Sequence, residues 1–147
     1  VQAPASYGFS NVTEACYTGF VGPAGPNDTV CPDPSVYAFW DSEHPTSAFH
    51  ALMADLMLAT AAEDLMNDLI MRVAMLEAHK GFKQSLATKL DVALRNFQGV
   101  NNNASVQGLL RAFINSINAQ IEKKITADDA AILIERAERI MALLVKN

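Results

Sequence analysis

Asp41 and His44 lie three residues apart in the run 39–46 (FWDSEHPT), just before the first strongly helical pattern of the chain. A carboxylate at this spacing can accept a hydrogen bond from imidazole Nδ1–H, which fixes the tautomer and stabilises the imidazolium. Nε2 is then free to take a proton from a serine hydroxyl during acyl transfer. Taken alone, however, the D-x-x-H spacing is more often a structural turn or helix cap, so the catalytic interpretation depends on the surrounding sequence.

Composition and charge exclude several classes of partner. Half of the 147 residues are apolar, which is enough to bury a core, and the net charge is −5 with 11 basic and 16 acidic residues. Without a Lys/Arg-rich block, the chain is not expected to bind nucleic acid or an anionic membrane. No apolar run approaches the roughly 20 residues of a transmembrane helix. No His or further Cys stands at metal-ligand spacing around Cys16 or Cys31, and we expect neither a metal ion nor a cofactor.

The two cysteines, Cys16 and Cys31, indicate in which kind of cellular compartment the protein is found. They enclose a Pro/Gly/Asn-rich loop of about 15 residues, for which a disulfide would contribute roughly 3 kcal/mol and would require an oxidising compartment. Two unpaired thiols are the alternative. No signal-peptide pattern begins at Val1, so any targeting segment was removed or never belonged to this chain. N-glycosylation sequons at Asn11, Asn27 and Asn103 are compatible with secretion but arise often by chance.

The pattern along the chain changes after residue 44. Five of the six prolines and four of the seven glycines lie before that point, which is typical of loops and short strands, and residues 36–40 (VYAFW) form the best strand candidate. A helical pattern starts at Pro45, and a second start signal, Thr60 to Glu63, has capping-box spacing. The alanines around residue 60 also allow one long or kinked helix. We place a domain boundary here, giving domains 1–60 and 61–147.

Three further amphipathic helices are predicted over residues 85–97, 105–120 and 126–145, the last with a weak capping box of Thr126 and Asp129. His79 fits the C-terminus of the helix before them, where a cation complements the helix dipole. Residues 61–147 therefore predict a small all-α bundle of about four helices with short connections, and the whole chain is expected to be mainly α.

Three sequence blocks carry a family resemblance: residues 7–16 (YGFSNVTEAC), 30–34 (VCPDP) and 37–46 (YAFWDSEHPT). Together with the following helix, residues 5–58 resemble the last block of GDSL/SGNH hydrolases, in the branch of secreted bacterial lipases and thermolabile-hemolysin-like phospholipases. The resemblance implies the strand, loop and helix that end an α/β hydrolase domain. It also implies that Asp41 and His44 are members of a Ser-His-Asp triad. The implied location is extracellular, by bacterial-type secretion, with periplasmic and cell-surface locations as variants.

The chain departs from the family in lacking its nucleophile motif. The family serine follows Gly-Asp in a strand-to-helix turn near the start of a longer domain, and none of the serines here has that context; they are Ser6, Ser10, Ser35, Ser42, Ser47, Ser85, Ser105 and Ser116. Residues 25–28 (GPND) resemble the block whose Asn donates to the oxyanion. We reject that match because it lies inside the Cys16–Cys31 loop, too close to Asp41.

A second resemblance covers residues 68–145 and is carried by residues 83–94 (KQSLATKLDVAL), 110–115 (LRAFIN) and 124–127 (KITA). These resemble the FIMAH domain, a helical module at the C-termini of secreted bacterial proteins. The resemblance implies an accessory or interaction role and no catalysis. Its apolar residues are expected to be core positions.

Together, these observations predict the C-terminal part of a secreted carboxylic-ester hydrolase, with an ester or lipid substrate for the parent enzyme. By itself the chain is expected to be inactive, because the three residues of a triad act as a unit. The expected partner of the chain is an N-terminal catalytic segment that carries the serine. The alternative is a non-enzymatic helical interaction module with a degenerate esterase remnant.

Overall fold

The computed structural model describes residues 3–19, 25–100 and 102–145, and the chain divides into two compact units, Val1–Met57 and Leu58–Asn147. Among the described residues the fold is mainly helical, with four α-helices and little strand, as the sequence predicts. None of these helices has a stretch long and apolar enough to cross a lipid bilayer.

The described residues of the first unit form two short parallel strands, β1 (Asn11–Ala15) and β2 (Tyr37–Phe39), with 3₁₀ turns at Pro4–Tyr7 and Pro34–Val36. Asn11 lies opposite Tyr37 and Ala15 opposite Phe39, so β1 uses two more residues than β2 between these partners. The side chain of Asn11 accounts for the irregularity. Its Oδ1 accepts hydrogen bonds from the backbone N–H groups two and three residues later, which compete with the strand ladder.

Thr46 positions the start of helix α1 (Ser47–Met75) against β2. Its Oγ1 accepts from the N–H of Phe49 at 3.2 Å and donates to the carbonyl of Tyr37 at 2.7 Å, while its N–H donates to Ala38 at 2.9 Å. The helix therefore begins two residues later than the predicted start at Pro45, because Thr46 supplies the N-cap.

Helix α1 is continuous, so the start signal at Thr60 does not interrupt it; the neighbouring alanines favour an unbroken helix. The 3.6-residue period of its first part predicts one buried apolar stripe of Phe49, Leu52, Met53, Leu56 and Met57. This stripe is less buried than predicted. Met53 and Met57 are 42% and 66% exposed, whereas Phe49 packs edge-on against Phe9 with ring centroids 5.8 Å apart. The described residues therefore leave Met53 and Met57 largely open to solvent.

The second unit continues with α2 (Lys80–Val100), α3 (Asn103–Asn118) and α4 (Ala127–Leu144). Helix α2 starts five residues before the predicted position because His79 caps it: Nδ1 accepts from Gly81 N at 3.2 Å and the carbonyl accepts from Phe82 N at 2.9 Å. The prediction that His79 ends a helix as a dipole-complementing cation is therefore wrong. Thr126 caps α4 as predicted, since Asp129 N donates to Thr126 Oγ1. The return bond differs from that of a full capping box, because the Thr126 hydroxyl, and not its backbone N–H, donates to the Asp129 carboxylate.

One apolar core fills the second unit. At the surface of this unit, the Asp68 carboxylate connects α1 to α4. It accepts hydrogen bonds from Arg72 of α1 at 2.9 Å and from Arg136 of α4. The largest fully buried side chains come from all four helices and are Met66, Leu69, Val73, Leu86, Leu90, Val106, Leu110, Phe113, Ile117, Leu133 and Ile140. The predicted apolar faces of α2, α3 and α4 supply most of these positions, as expected for amphipathic helices.

Candidate catalytic pair

Asp41 and His44 are in direct contact in the loop between β2 and α1. His44 Nδ1 lies 2.8 Å from Asp41 Oδ2 and 2.9 Å from Oδ1. Asp41 is buried, whereas the side chain of His44 is 54% exposed. A neutral imidazole that donates from Nδ1 to a carboxylate has its lone pair on Nε2. The exposed ring can therefore accept a proton through Nε2.

The carboxylate of Asp41 is held by the backbone of its own turn. Oδ1 accepts from the N–H of Glu43 at 2.8 Å and from the N–H of His44 at 2.7 Å. The Glu43 bond is the main cause that lowers the pKa of Asp41 below its ordinary value, with help from the His44 backbone and ring; burial acts in the opposite direction and does not prevail. An ionised Asp41 can stabilise a protonated His44.

Acid is expected to loosen this turn. Because the pKa of Asp41 is lowered in the folded chain, its contribution to stability is present above the ordinary pKa of 3.8 and is lost as the pH falls through the folded-state value. The amide resonances of Glu43 and His44 should therefore shift with a midpoint below 3.8. Asp41→Asn should remove that transition. A midpoint at or above 3.8 in the wild-type chain would contradict the assigned hydrogen bonds.

Trp40 joins the pair to the end of β1. Its N–H donates to the carbonyl of His44 at 2.8 Å, which closes the turn, and its carbonyl accepts from Tyr17 N at 2.6 Å. The rings of Tyr17 and Trp40 stack with centroids 5.6 Å apart. Sequence reasoning missed Tyr17 as a support, and its place next to Cys16 was the only available signal. The backbone next to Asp41 and His44 is therefore held by the residues that follow β1.

The cysteines form a disulfide, which settles the alternatives that the sequence left open. The Cα atoms of Cys16 and Cys31 are 4.7 Å apart, and Cys31 N donates to the carbonyl of Cys16 at 2.7 Å. Cys16 N in turn donates to the carbonyl of Phe39 at 3.0 Å, two residues before Asp41. The disulfide loop is thus anchored directly to the strand that leads into the pair.

Residues 25–28 form a hydrogen-bonded turn within the disulfide loop. The carboxylate of Asp28 accepts from Tyr17 OH at 3.0 Å and from Gly25 N at 2.6 Å. Burial, and then the hydrogen bond and charge of Asp28, raise the pKa of Tyr17, so the phenol stays protonated and donates. These contacts assign the segment to a structural turn.

Removing the disulfide is expected to lower the free energy of unfolding by about 3 kcal/mol, because the reduced denatured chain regains the freedom of a 15-residue loop. The variant is Cys16→Ser/Cys31→Ser, and the measurement is urea unfolding followed by the fluorescence of Trp40, the single tryptophan of the chain. Reducing agent should destabilise the wild type and leave the variant unchanged. Alkylation of both thiols in unreduced, unfolded wild-type protein would contradict the bond.

The described residues contain no complete triad. No serine hydroxyl among them is hydrogen-bonded to the His44 ring, whose Nδ1 contacts Asp41. Ser42 and Ser47, the serines nearest to the pair along the chain, are exposed and lack a Gly-Asp context. Residues 3–19, 25–100 and 102–145 contain no cluster of three or more His, Cys, Asp or Glu side chains that could hold a metal ion. Within the described residues, the arrangement can hold and move a proton but includes no serine bonded to the histidine.

Sequence comparison adds a family link. A GDSL esterase/lipase of Arabidopsis thaliana is 41% identical over 58 residues, which is 35% of this chain and 15% of the relative. The chain is similar to GDSL esterase/lipases. A second such enzyme of the same plant is 39% identical over 70 residues, covering 44% of the chain and 19% of the relative. A third is 36% identical over 63 residues, covering 40% and 17%.

This similarity is partial. The chain spans between 15% and 19% of the length of these GDSL esterase/lipases. No family model matches it, and no solved structure does. The link to a hydrolase family therefore rests on the GDSL relatives, while the thermolabile-hemolysin branch and the FIMAH resemblance stay predictions.

Proposed function

We propose that the chain supplies Asp41 and His44 to a GDSL-type ester hydrolase whose serine is on another polypeptide segment. The observation that carries the proposal is the contact of His44 Nδ1 with both carboxylate oxygens of a buried aspartate, beside an exposed ring edge. In a Ser-His-Asp mechanism this contact fixes the histidine tautomer that accepts a proton through Nε2. The similarity to GDSL esterase/lipases supports the reaction class.

The residues have distinct roles in the proposed reaction. His44 Nε2 takes the proton of the serine hydroxyl as its oxygen attacks the ester carbonyl, and then gives that proton to the departing alcohol. In deacylation it takes a proton from water and returns it to the serine. Asp41 keeps the ring oriented and stabilises the imidazolium in both steps, while remaining ionised itself.

The architecture of the first unit supports the need for a further segment. Among the residues that the structure describes, its sheet has two parallel strands, and parallel sheets occur almost only where other elements cover both faces. Phe39 of β2 is 36% exposed, and Met53 and Met57 of α1 are more exposed still. We propose that the nucleophile-bearing segment covers these side chains. The lengths of the GDSL relatives leave ample sequence for such a segment.

The remaining parts of the proposal concern organisation and location. We propose a hydrolase segment at 1–60 and a FIMAH-like accessory domain at 61–147, supported by the separate apolar core of the helices in the second unit. We further propose that the protein is secreted. Its disulfide supports an oxidising compartment.

The test is reconstitution. Alone, the chain should hydrolyse a short-chain chromogenic ester no faster than its His44→Ala variant. Mixed or fused with an N-terminal segment of a GDSL esterase/lipase that carries the Gly-Asp-Ser motif, it should gain turnover. A folded, associated complex with no turnover would favour the non-enzymatic interaction module instead. Turnover by the isolated chain that depends on His44 would contradict a separate nucleophile, and Ser42→Ala and Ser47→Ala would then locate the serine.

A further inference from the structure

A cleft of about 320 Å³ borders the turn that holds the catalytic pair. We call it the Trp40 cleft; its lining residues are Pro34, Ser35, Trp40, Pro45, Thr46, Ser47 and Ala48. We propose that this cleft binds the alcohol portion of the ester and selects a neutral alcohol with a small apolar group. The inference rests on the proposed function, because it names the substrate class of the same catalytic pair.

The position of the Trp40 cleft indicates which half of the ester it receives. Trp40 and Pro45 line the cleft and flank the turn, and Trp40 N donates to the carbonyl of His44 at 2.8 Å. When the tetrahedral intermediate collapses, the bond from its carbon to the alcohol oxygen breaks. The oxygen keeps the electron pair and takes a proton from His44 Nε2, so it must lie within hydrogen-bond reach of this ring. A cleft next to His44 is therefore suited to the alcohol, whereas the acyl group stays on the serine.

The lining of the Trp40 cleft is uncharged. Its apolar walls are Trp40, Ala48 and two prolines, all of them half-buried. The hydroxyls of two further lining residues already have acceptors. Ser35 donates to the Asp33 carboxylate at 2.6 Å, and Thr46 donates to a backbone carbonyl of β2 at 2.7 Å. A ligand in the cleft therefore gains mainly from burial of apolar surface, and the volume is at the small end of the range for ligand sites.

The charge of the first unit disfavours an alcohol that carries a phosphate. Residues 1–57 contain six acidic residues and neither Lys nor Arg. Hydrogen bonds from the Ser35 hydroxyl and backbone N–H lower the pKa of Asp33, which keeps a negative charge next to a lining residue of the cleft. A phosphate would meet repulsion and no permanent cation in this unit. We therefore expect esters of neutral alcohols to be preferred over phospholipids.

Binding to the chain by itself tests the Trp40 cleft without catalysis. The probes are benzyl alcohol and benzyl phosphate, which share a ring and differ in charge. The readouts are the fluorescence of Trp40, the single tryptophan, and the NMR resonance of the Ala48 methyl group. Benzyl alcohol should change both signals saturably, whereas benzyl phosphate should bind at least about tenfold more weakly because of the acidic surroundings.

A matched pair of variants locates the binding site. Ala48→Leu fills the Trp40 cleft and should abolish the response to benzyl alcohol. Ala54→Leu makes the same change at an exposed position of α1 and should leave the response unchanged. In the wild type, the methyl resonance of Ala54 should not shift. This measurement does not depend on the folding of either variant.

The reconstituted enzyme tests whether the bound group is the ester alcohol. Benzyl acetate and methyl acetate share an acyl group and release alcohols of similar acidity. One methylene group in an apolar pocket changes kcat/KM by roughly 10- to 200-fold, so Ala48→Leu should lower the ratio of kcat/KM for benzyl over methyl acetate by about tenfold or more. The ratio for benzyl acetate over benzyl butyrate should stay unchanged, because these esters differ only in the acyl group.

Three results would overturn the inference. The first is the absence of saturable benzyl alcohol binding, or equal binding by Ala48→Leu and the wild type. The second is tighter binding of benzyl phosphate than of benzyl alcohol. The third is an equal loss of kcat/KM for benzyl and methyl acetate in Ala48→Leu, which would show that the nucleophile-bearing segment occupies the cleft. Failure of the proposed function looks different: benzyl alcohol would bind, but no reconstituted enzyme would turn over, and the bound group would then not be an ester alcohol.

Discussion

Replacing His44 with alanine is expected to abolish ester hydrolysis by the reconstituted enzyme, with a loss in kcat on the order of 10⁶. The serine hydroxyl would lose its proton acceptor, and the alcohol its proton donor. Asp41→Asn is expected to cost on the order of 10⁴, because an amide at this position favours the wrong histidine tautomer while keeping the shape of the turn. The rates are measured with a short-chain chromogenic ester at saturating substrate, where kcat is separated from binding.

The turn itself provides matched controls. Ser42 and Glu43 lie between the two residues and are exposed, and Glu43 bonds Asp41 through its backbone only. Ser42→Ala and Glu43→Gln should therefore keep turnover within a small factor of the wild type. Full activity without His44 would show that the D-x-x-H assignment is wrong.

Truncating Phe113 to alanine is expected to lower the free energy of unfolding of the helical bundle by about 3 to 5 kcal/mol. Phe113 lies in α3, is 0% exposed and is among the largest fully buried side chains, so its removal leaves a cavity that the four helices cannot fill. The measurement is urea unfolding followed by far-ultraviolet circular dichroism. This loss is a large fraction of the stability of an ordinary domain.

Met75→Ala is the control for that experiment. Met75 is 78% exposed near the end of α1, and its truncation should change the free energy of unfolding by no more than about 0.5 kcal/mol. A loss below about 1 kcal/mol for Phe113→Ala would contradict the assigned core. Equal losses of unfolding free energy for Phe113→Ala and Met75→Ala would also contradict the assigned core.

The helices were readable from the sequence because their signals are local. The apolar period of α4 identifies Leu133, Ala137 and Ile140, and all three are buried in the structure. The reciprocal bonds of Thr126 and Asp129 span three residues, so their spacing alone predicts the start of α4. Amphipathic patterns of this length predict which face is buried without specifying the partner helix.

The sequence-based predictions failed where one local pattern is compatible with more than one structure. His79 matched a helix end, but the chain turns after Met75 and uses the imidazole Nδ1 to cap the next helix. The apolar stripe with Met53 and Met57 predicts a buried face that the described residues do not cover. Periodicity shows that a face is apolar, whereas its burial depends on what packs against it.

The contact between Asp41 and His44 was determined by the sequence, because an aspartate can reach the backbone and ring of a residue three positions later within a single turn. Their catalytic role and the two predicted domains remain proposals. Only the tertiary structure decided that Asp41 is buried and that Tyr17 stacks on Trp40. The same holds for the disulfide, which requires residues 15 positions apart to approach within bonding distance. These contacts depend on how β1 is placed beside β2, and that placement is set by long-range hydrogen bonds that residue spacing does not encode.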